Sequence, residues 1–224
     1  MEEFQQDEPV FEAERGKILA AALKMVPFDG WTPTMMAAAA ADAGLDRATL
    51  DAAFPNGIAD LLQFWSEILD TQMETAMGGD EFAALKIREK VAFAVRARLE
   101  LLAADKEAAR RAAATLALPN FAPLATRLIW RTADCIWRGL GDQSTDFNFY
   151  SKRAILSGVW TSTFAHWLGD ESDDYASTWV FLDQRIENVM QIEKAKSWFR
   201  KAGLDPNKPI ELLAKFRYFR KPGS

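Results

Sequence analysis

Cysteine and histidine are nearly missing from this chain of 224 residues: Cys135 and His166 are the only ones of their kinds. One cysteine excludes an intrachain disulfide, which suits a reducing compartment. A lone cysteine and a lone histidine far apart in sequence argue against a zinc site or a Cys-His nucleophile. His166 is preceded at i−3 by Thr163, not Glu, so the Glu-x-x-His pattern of a di-iron bundle is absent. The chain also lacks a P-loop, a dinucleotide-binding glycine motif and a nucleophile elbow. No run of about eighteen apolar residues is present, so no segment reads as a transmembrane helix. Basic residues are scarce at the front, where the first sixty residues hold eleven acids and four bases. Such a start is unlike a signal or transit peptide, and the expectation drawn from it is a cytoplasmic protein.

Large aromatics, by contrast, are plentiful, with fifteen Phe and eight Trp in a chain that is 49% hydrophobic. They fit a large core first, and a roomy aromatic-lined pocket as the sharper alternative. Charge is uneven. Gln191 to Ser224 holds nine basic and three acidic residues, a balance of +6, against −11 for the residues before it. An acidic body with a basic tail points to an anionic surface as the tail's partner.

Hydrophobic spacing is helical throughout, and the predicted class is all-α. A first helix carries Ile18, Leu19, Ala22, Leu23 and Val26 and should end at Pro27 to Gly30. Thr34 is a candidate N-cap for an alanine-rich second helix, Gly44 ends it, and Asp46 can cap a third over Arg47 to Phe54. A fourth runs from Ile58 to Met77. Further helices are expected over Glu81–Ala104, Lys106–Leu116, Leu124–Leu140, Phe147–Leu168 and Ala176–Ala202. Three regions follow: 1–78, 79–203 and a basic tail, 204–224.

The front end has a specific look. Ile18 to Leu23, Gly30-Trp31-Thr32, Ala41 to Leu45, and Thr49-Leu50 followed by Phe54-Pro55 resemble the N-terminal helix-turn-helix of TetR repressors. DNA binding does not follow from the fold. The third helix offers Asp46, Arg47 and Asp51, and carboxylates oppose contact with phosphates. The expectation is a TetR-like fold without nucleic acid as partner. The alternative is a ligand-responsive TetR-type repressor.

Two further segments carry a narrower resemblance. One is Leu118-Pro119-Asn120-Phe121-Ala122-Pro123, with Asp134 and Trp137 downstream. The other is Gly141-Asp142-Gln143-Ser144-Thr145-Asp146-Phe147-Asn148-Phe149-Tyr150, then Arg153-Ala154 and Thr178-Trp179-x-Phe181-Leu182-x-x-Arg185. These are similar to the lipid-binding accessory family of ubiquinone (coenzyme Q) biosynthesis, over about residues 15–195. The resemblance implies a non-catalytic homodimer that binds an isoprenoid quinone precursor. It also implies assistance to the di-iron hydroxylase acting on demethoxyubiquinone, with no cofactor of its own. It places Asp142, Asp146, Phe149, Tyr150 and Arg153 at a patch for that partner; Phe149 stands where eukaryotic members carry Trp. With no transit peptide in view, it further suggests a bacterial member, peripheral to the inner membrane. Read from the residues alone, the same run also fits an N-cap cluster at Thr145 or Asp146.

For the lipid pocket the candidates are Leu116, Phe121, Trp130, Ile155, Val159, Trp160, Phe164, Trp179 and Leu182, each of which also fits an ordinary core position. For membrane contact the candidates lie in the tail. Asn207 can cap a helix in which Leu212, Leu213, Phe216 and Phe219 share one face, with Lys215, Arg217 and Arg220 at its flanks or within reach. That is the composition of an interfacial helix on anionic lipid. The same helix could instead dock on its own domain.

Overall fold

The computed structural model describes residues 11–142 and 147–201, with side chains over 11–142 and 149–191. Every regular element among them is helical. The expectations for Asp146 and for the 204–224 tail (Leu212, Leu213, Lys215, Phe216, Arg217, Phe219 and Arg220) lie outside the described residues.

The first three helices are α1 (Glu12–Asp29), α2 (Pro33–Asp42) and α3 (Arg47–Ala53). Helix α1 buries Ile18, Leu19, Ala22 and Val26, the residues at helical spacing. It passes through Pro27 instead of stopping there. The proline gives up the bond that an N–H at 27 would make to the carbonyl one turn back, and Gly30 then ends the helix by donating to the Val26 carbonyl. The cap of α2 is Thr32, whose hydroxyl accepts from the Met35 N–H at 3.1 Å, and not Thr34. Pro33 accounts for the difference, because its fixed φ suits the first helical position and draws the helix start forward. Gly44, at φ +72°, reverses the chain so that the Leu45 N–H reaches the Ala40 carbonyl. Asp46 caps α3 as expected, accepting from the Thr49 N–H at 2.8 Å.

A long α4 (Ile58–Ala76) and a five-residue α5 (Asp80–Ala84) lead to α6 (Ile87–Leu102), α7 (Lys106–Leu116), α8 (Ala122–Gly139), α9 (Phe147–Gly169) and α10 (Ala176–Lys201). The single helix expected over Glu81–Ala104 is therefore two. Leu85 and Lys86 are extended, and the Glu89 carboxylate accepts from the Lys86 N–H at 2.8 Å to start α6.

Helix α4 packs against both α6 and α8, α8 against α9, and α9 against α10. Leu61 and Met73 of α4, Leu99 of α6 and Ile136 of α8 are among the side chains fully buried there. Each such residue contributes on the order of 1.5–3 kcal/mol relative to an exposed position. The N-terminal helices join this core through α1, which packs on α7. Trp31, after α1, donates its indole N–H to the Ala108 carbonyl of α7 at 3.1 Å, and its ring centroid lies 5.4 Å from that of Trp65. The turn from α9 to α10 closes on Asp170. Burial opposes ionisation of this carboxyl, but hydrogen bonds from Ser172 and Thr178 prevail and hold it well below the usual carboxylate range. Lys106 donates to the Asp170 carbonyl at 2.6 Å, fastening the turn to the start of α7. Among the described residues no helix is long and apolar enough to cross a membrane.

Candidate functional site

Helices α4, α6, α7, α8 and α9 do not close completely on one another. They leave a cavity of about 390 Å³ between them. Its space comes from small residues. Ala109, Ala112, Ala113 and Ala117 line it from α7 and its end, Ala125 from α8 and Ala165 from α9. Larger apolar walls face these alanines: Leu62, Trp65 and Leu69 of α4, Leu128 and Ile129 of α8, and Trp160, Phe164 and Leu168 of α9. Ala117, Thr161 and Ala165 are exposed, which marks the mouth between the end of α7 and the middle of α9. The volume falls within the range of about 300–1,000 Å³ for small-molecule sites, and an apolar lining with a few polar groups suits an amphiphilic ligand.

Three polar groups gather away from the mouth. Arg98, Ser66 and Thr132 all line the cavity. Arg98 is only 3% exposed and pairs with Asp70, Nε to Oδ1 at 3.0 Å. That N–H is not aligned for a hydrogen bond. Arg98 Nη2 donates to the Ser66 hydroxyl at 3.1 Å and lies 3.3 Å from the Ser66 carbonyl. Thr132 donates to Asp70 at 3.0 Å, and Arg131 stands 3.8 Å from the second Asp70 oxygen. Burial pushes the Asp70 carboxyl above its ordinary value despite the Arg98 charge, and burial lowers Arg98 likewise.

Of the nine pocket candidates, the structure brings Leu116, Trp160 and Phe164 to this wall. Trp160 and Phe164 stack with centroids 5.5 Å apart. Val159 and Leu182 are buried in the core without lining the cavity, and Phe121 and Ile155 are half-buried and likewise absent from it. Trp130 lies elsewhere, its ring 6.3 Å from that of Tyr150. Trp179 donates to the Asp174 carbonyl at 2.7 Å under the guanidinium of Arg96. Sequence reasoning sought large apolar residues and so passed over the alanines that make the room and the Arg98 group at the buried side.

The patch candidates separate by depth. Arg153 is 1% exposed and binds inward. Its Nε meets Asp134 at 2.5 Å, and its Nη1 meets Asp142 and the Phe149 carbonyl at 3.2 Å each. Its guanidinium carbon also lies 3.4 Å from the Phe149 ring centroid. Asp142 pairs with Lys152 at 2.6 Å as well, and the Trp137 indole donates to the Lys152 carbonyl. Arg153 is thus a joint between α8 and α9 and not itself an outer surface, which corrects its reading as a direct contact. Tyr150 is 62% exposed, and its ring meets Phe149 edge-on at 5.1 Å and Trp130 at 6.3 Å.

Elsewhere, α3 presents Arg47 already paired with Asp51 at 2.9 Å. Cys135 is buried, and burial pushes its thiol far above the ordinary range. His166 stacks on Phe181 at 4.4 Å beside the Ser177 hydroxyl.

Comparison with known proteins bears on this arrangement. The COQ9 family model matches residues 122–193, the stretch from α8 through the patch into α10. The chain is 32% identical over 197 residues to the mitochondrial ubiquinone biosynthesis protein COQ9 of Rattus norvegicus, covering 84% of this chain and 63% of that protein. The Homo sapiens protein of that name is 31% identical, with 84% and 62% covered, and the Drosophila melanogaster one 30% identical, with 81% and 57% covered. The chain therefore spans less than two thirds of the length of these curated relatives. Among solved structures, a TetR transcriptional regulator from Nitrosomonas europaea superposes with a TM-score of 0.66 at 18% identity, over 79% of this chain and 97% of that one. This shows the fold alone, and it is the TetR-like fold expected. One expectation is overturned. The relatives are mitochondrial proteins of eukaryotes, against the bacterial protein of the cytoplasm and inner membrane inferred from the acidic front end. The charge of a chain's first residues is weak information about its compartment. The matched segment and the curated relatives make this chain similar to the COQ9 proteins, and its fold is that of TetR regulators.

Proposed function

We propose that this chain serves ubiquinone biosynthesis without catalysing a step, by holding an isoprenoid quinone precursor in the α4–α9 cavity and presenting it to the di-iron demethoxyubiquinone hydroxylase. The observation that carries the reading is the cavity itself, walled by alanine, leucine and aromatic residues. Burying an isoprenoid tail gains roughly 0.8 kcal/mol per methylene, so a few isoprene units give useful affinity without a reacting group. A cavity of about 390 Å³ is small for a whole polyprenyl chain, and the remainder leaves through the mouth at Ala117, Thr161 and Ala165. Two residues with potential for chemistry are otherwise engaged: Cys135 is buried with a raised pKa, and His166 is stacked on Phe181. Mass spectrometry of lipids retained through gentle purification tests the ligand. Quinone-like isoprenoids are expected, and a preparation carrying none, even after incubation with the precursor, overturns the reading.

The hydroxylase docks on Tyr150 and Phe149, held from beneath by Arg153 and Asp142. An exposed aromatic braced by a buried ion-pair network is a good interface anchor, because little ordering remains to be done on binding. Tyr150→Ala and Phe149→Ala each weaken a pull-down with the hydroxylase, Tyr150→Ala by tenfold or more. Unchanged capture by both variants, with circular dichroism intact, removes the patch.

The protein acts as a homodimer, and its tail beyond Lys208 brings it to anionic membranes through Leu212, Leu213, Phe216 and Phe219 flanked by Lys215, Arg217 and Arg220. Each basic residue near such a surface adds roughly 1 kcal/mol. Full-length protein floats with anionic liposomes, and protein ending at Lys208 stays at the bottom of the gradient. Equal flotation of the two puts the membrane contact elsewhere.

A further inference from the structure

We infer that Arg98 is a head-group anchor: its Nη1 hydrogen-bonds an uncharged oxygen on the ligand's ring, so the ligand enters ring first and its tail leaves by the mouth. This rests on the lipid-binding reading above and adds what the cavity recognises. Arg98 lines the cavity, is 3% exposed, and spends Nη2 on Ser66. Nη1 has almost no accessible surface and no hydrogen-bond partner among the described residues, so the guanidinium turns towards the cavity to meet a ligand. A buried unpaired N–H is costly, and a ligand oxygen beside it recovers that cost on binding. Trp160 completes the setting. It lines the same cavity, with the Arg98 guanidinium carbon 5.6 Å from its ring centroid, so a planar head group near Nη1 has an aromatic wall beside it.

Charge selects the kind of oxygen. Arg98 faces Asp70 at 3.0 Å, and Arg131 is shared between Asp70 at 3.8 Å and Glu67. Two cations against two carboxylates leave no net positive charge. A ligand carboxylate or phosphate would give up its hydration for a guanidinium already neutralised. A carbonyl or ether oxygen asks only for the free N–H. Depth sets the orientation, since Arg98 and Thr132 are buried while Ala117, Thr161 and Ala165 are exposed.

The test compares three probes of equal tail length on the full chain, delivered from cyclodextrin and measured by calorimetry: a decyl-substituted dimethoxy-methylbenzoquinone, decylbenzene and decanoate. The wild type is expected to bind the quinone about tenfold more tightly than decylbenzene, as a hydrogen bond from a charged donor implies, with decanoate the weakest. Arg98→Met alone leaves Asp70 with only the more distant Arg131, so Arg98→Met/Asp70→Asn, which removes the pair together, is the working variant. It should bind the quinone no better than decylbenzene, with decylbenzene affinity unchanged. A quinone preference retained by the double variant overturns the anchor, and so does decanoate binding best to the wild type. Wild-type protein that binds decylbenzene and quinone equally also overturns it, while leaving the lipid cavity in place. Failure of all three probes to bind overturns the cavity reading itself.

Discussion

Ala113→Phe is expected to abolish most lipid retention while the protein stays folded. Ala113 lines the cavity from α7, where the small side chain leaves the room proposed for a lipid tail. A phenyl ring there displaces several methylenes of ligand. With about 0.8 kcal/mol per methylene, excluding three of them costs roughly 2.4 kcal/mol, or about fiftyfold in affinity. Stability should change little, because the ring fills existing space and does not force packed side chains apart. Ala114→Phe is the control. Ala114 is the next residue on the same helix, is exposed and lines no part of the cavity. It should retain lipid as the wild type does. Equal loss in both variants would mean that α7 is merely intolerant of bulk, and no loss in either would mean that lipid sits elsewhere.

Arg98→Met is expected to be the most destabilising single change of this region. It leaves the Asp70 carboxylate, 3% exposed, with only the more distant Arg131 for compensation. Removing one partner of a buried pair costs about 3–5 kcal/mol, and in a chain of this size about 10 °C in Tm. The effect has a direction with pH. The folded-state pKa of Asp70 is already raised by burial, and losing Arg98 raises it further. A carboxyl whose pKa is higher folded than unfolded favours folding below its unfolded value of about 3.9, and that contribution is lost as pH rises through the folded pKa. The deficit of Arg98→Met should therefore shrink on moving from pH 7 to pH 5. Adding Asp70→Asn should recover most of it at pH 7. Urea denaturation at both pH values gives the numbers. A deficit that does not change with pH would show that the loss is one of packing, not charge.

Helix positions were largely legible in the sequence because glycine, proline and capping residues punctuate the chain. Gly44 and Asp46 mark the turn before α3, and Pro119 to Pro123 mark the start of α8. The break at Leu85 was not, since neither glycine nor proline stands there. Its one local sign is Glu89, three residues into α6, reaching back to the Lys86 N–H. The cavity was half legible. Trp160 and Phe164 fall one turn apart on α9, and that spacing put them on one face. The opposite wall is made of alanines, which in sequence mark nothing but helix propensity. Arg98 resembles any surface arginine until α4 is seen to cover it with Asp70 and Ser66. Arg153 misled for the same reason, because whether a charge faces a partner or a buried acid depends on tertiary packing.

Trp65 belongs to two neighbourhoods at once. It lines the cavity, and its ring stands 5.4 Å from that of Trp31, whose indole is tied to the Ala108 carbonyl of α7, a second cavity wall. The N-terminal helices are in that sense a buttress. Substitutions on the outer face of α3, at Arg47 or Asp51, leave the chamber untouched, while removal of α1 to α3 takes away its outside support. Selection for the shape of the chamber is then enough to preserve these three helices, whatever their outer surface touches. A helix-turn-helix placed in this way is held in the fold by the chamber that leans on it, independently of any contact on its outer face.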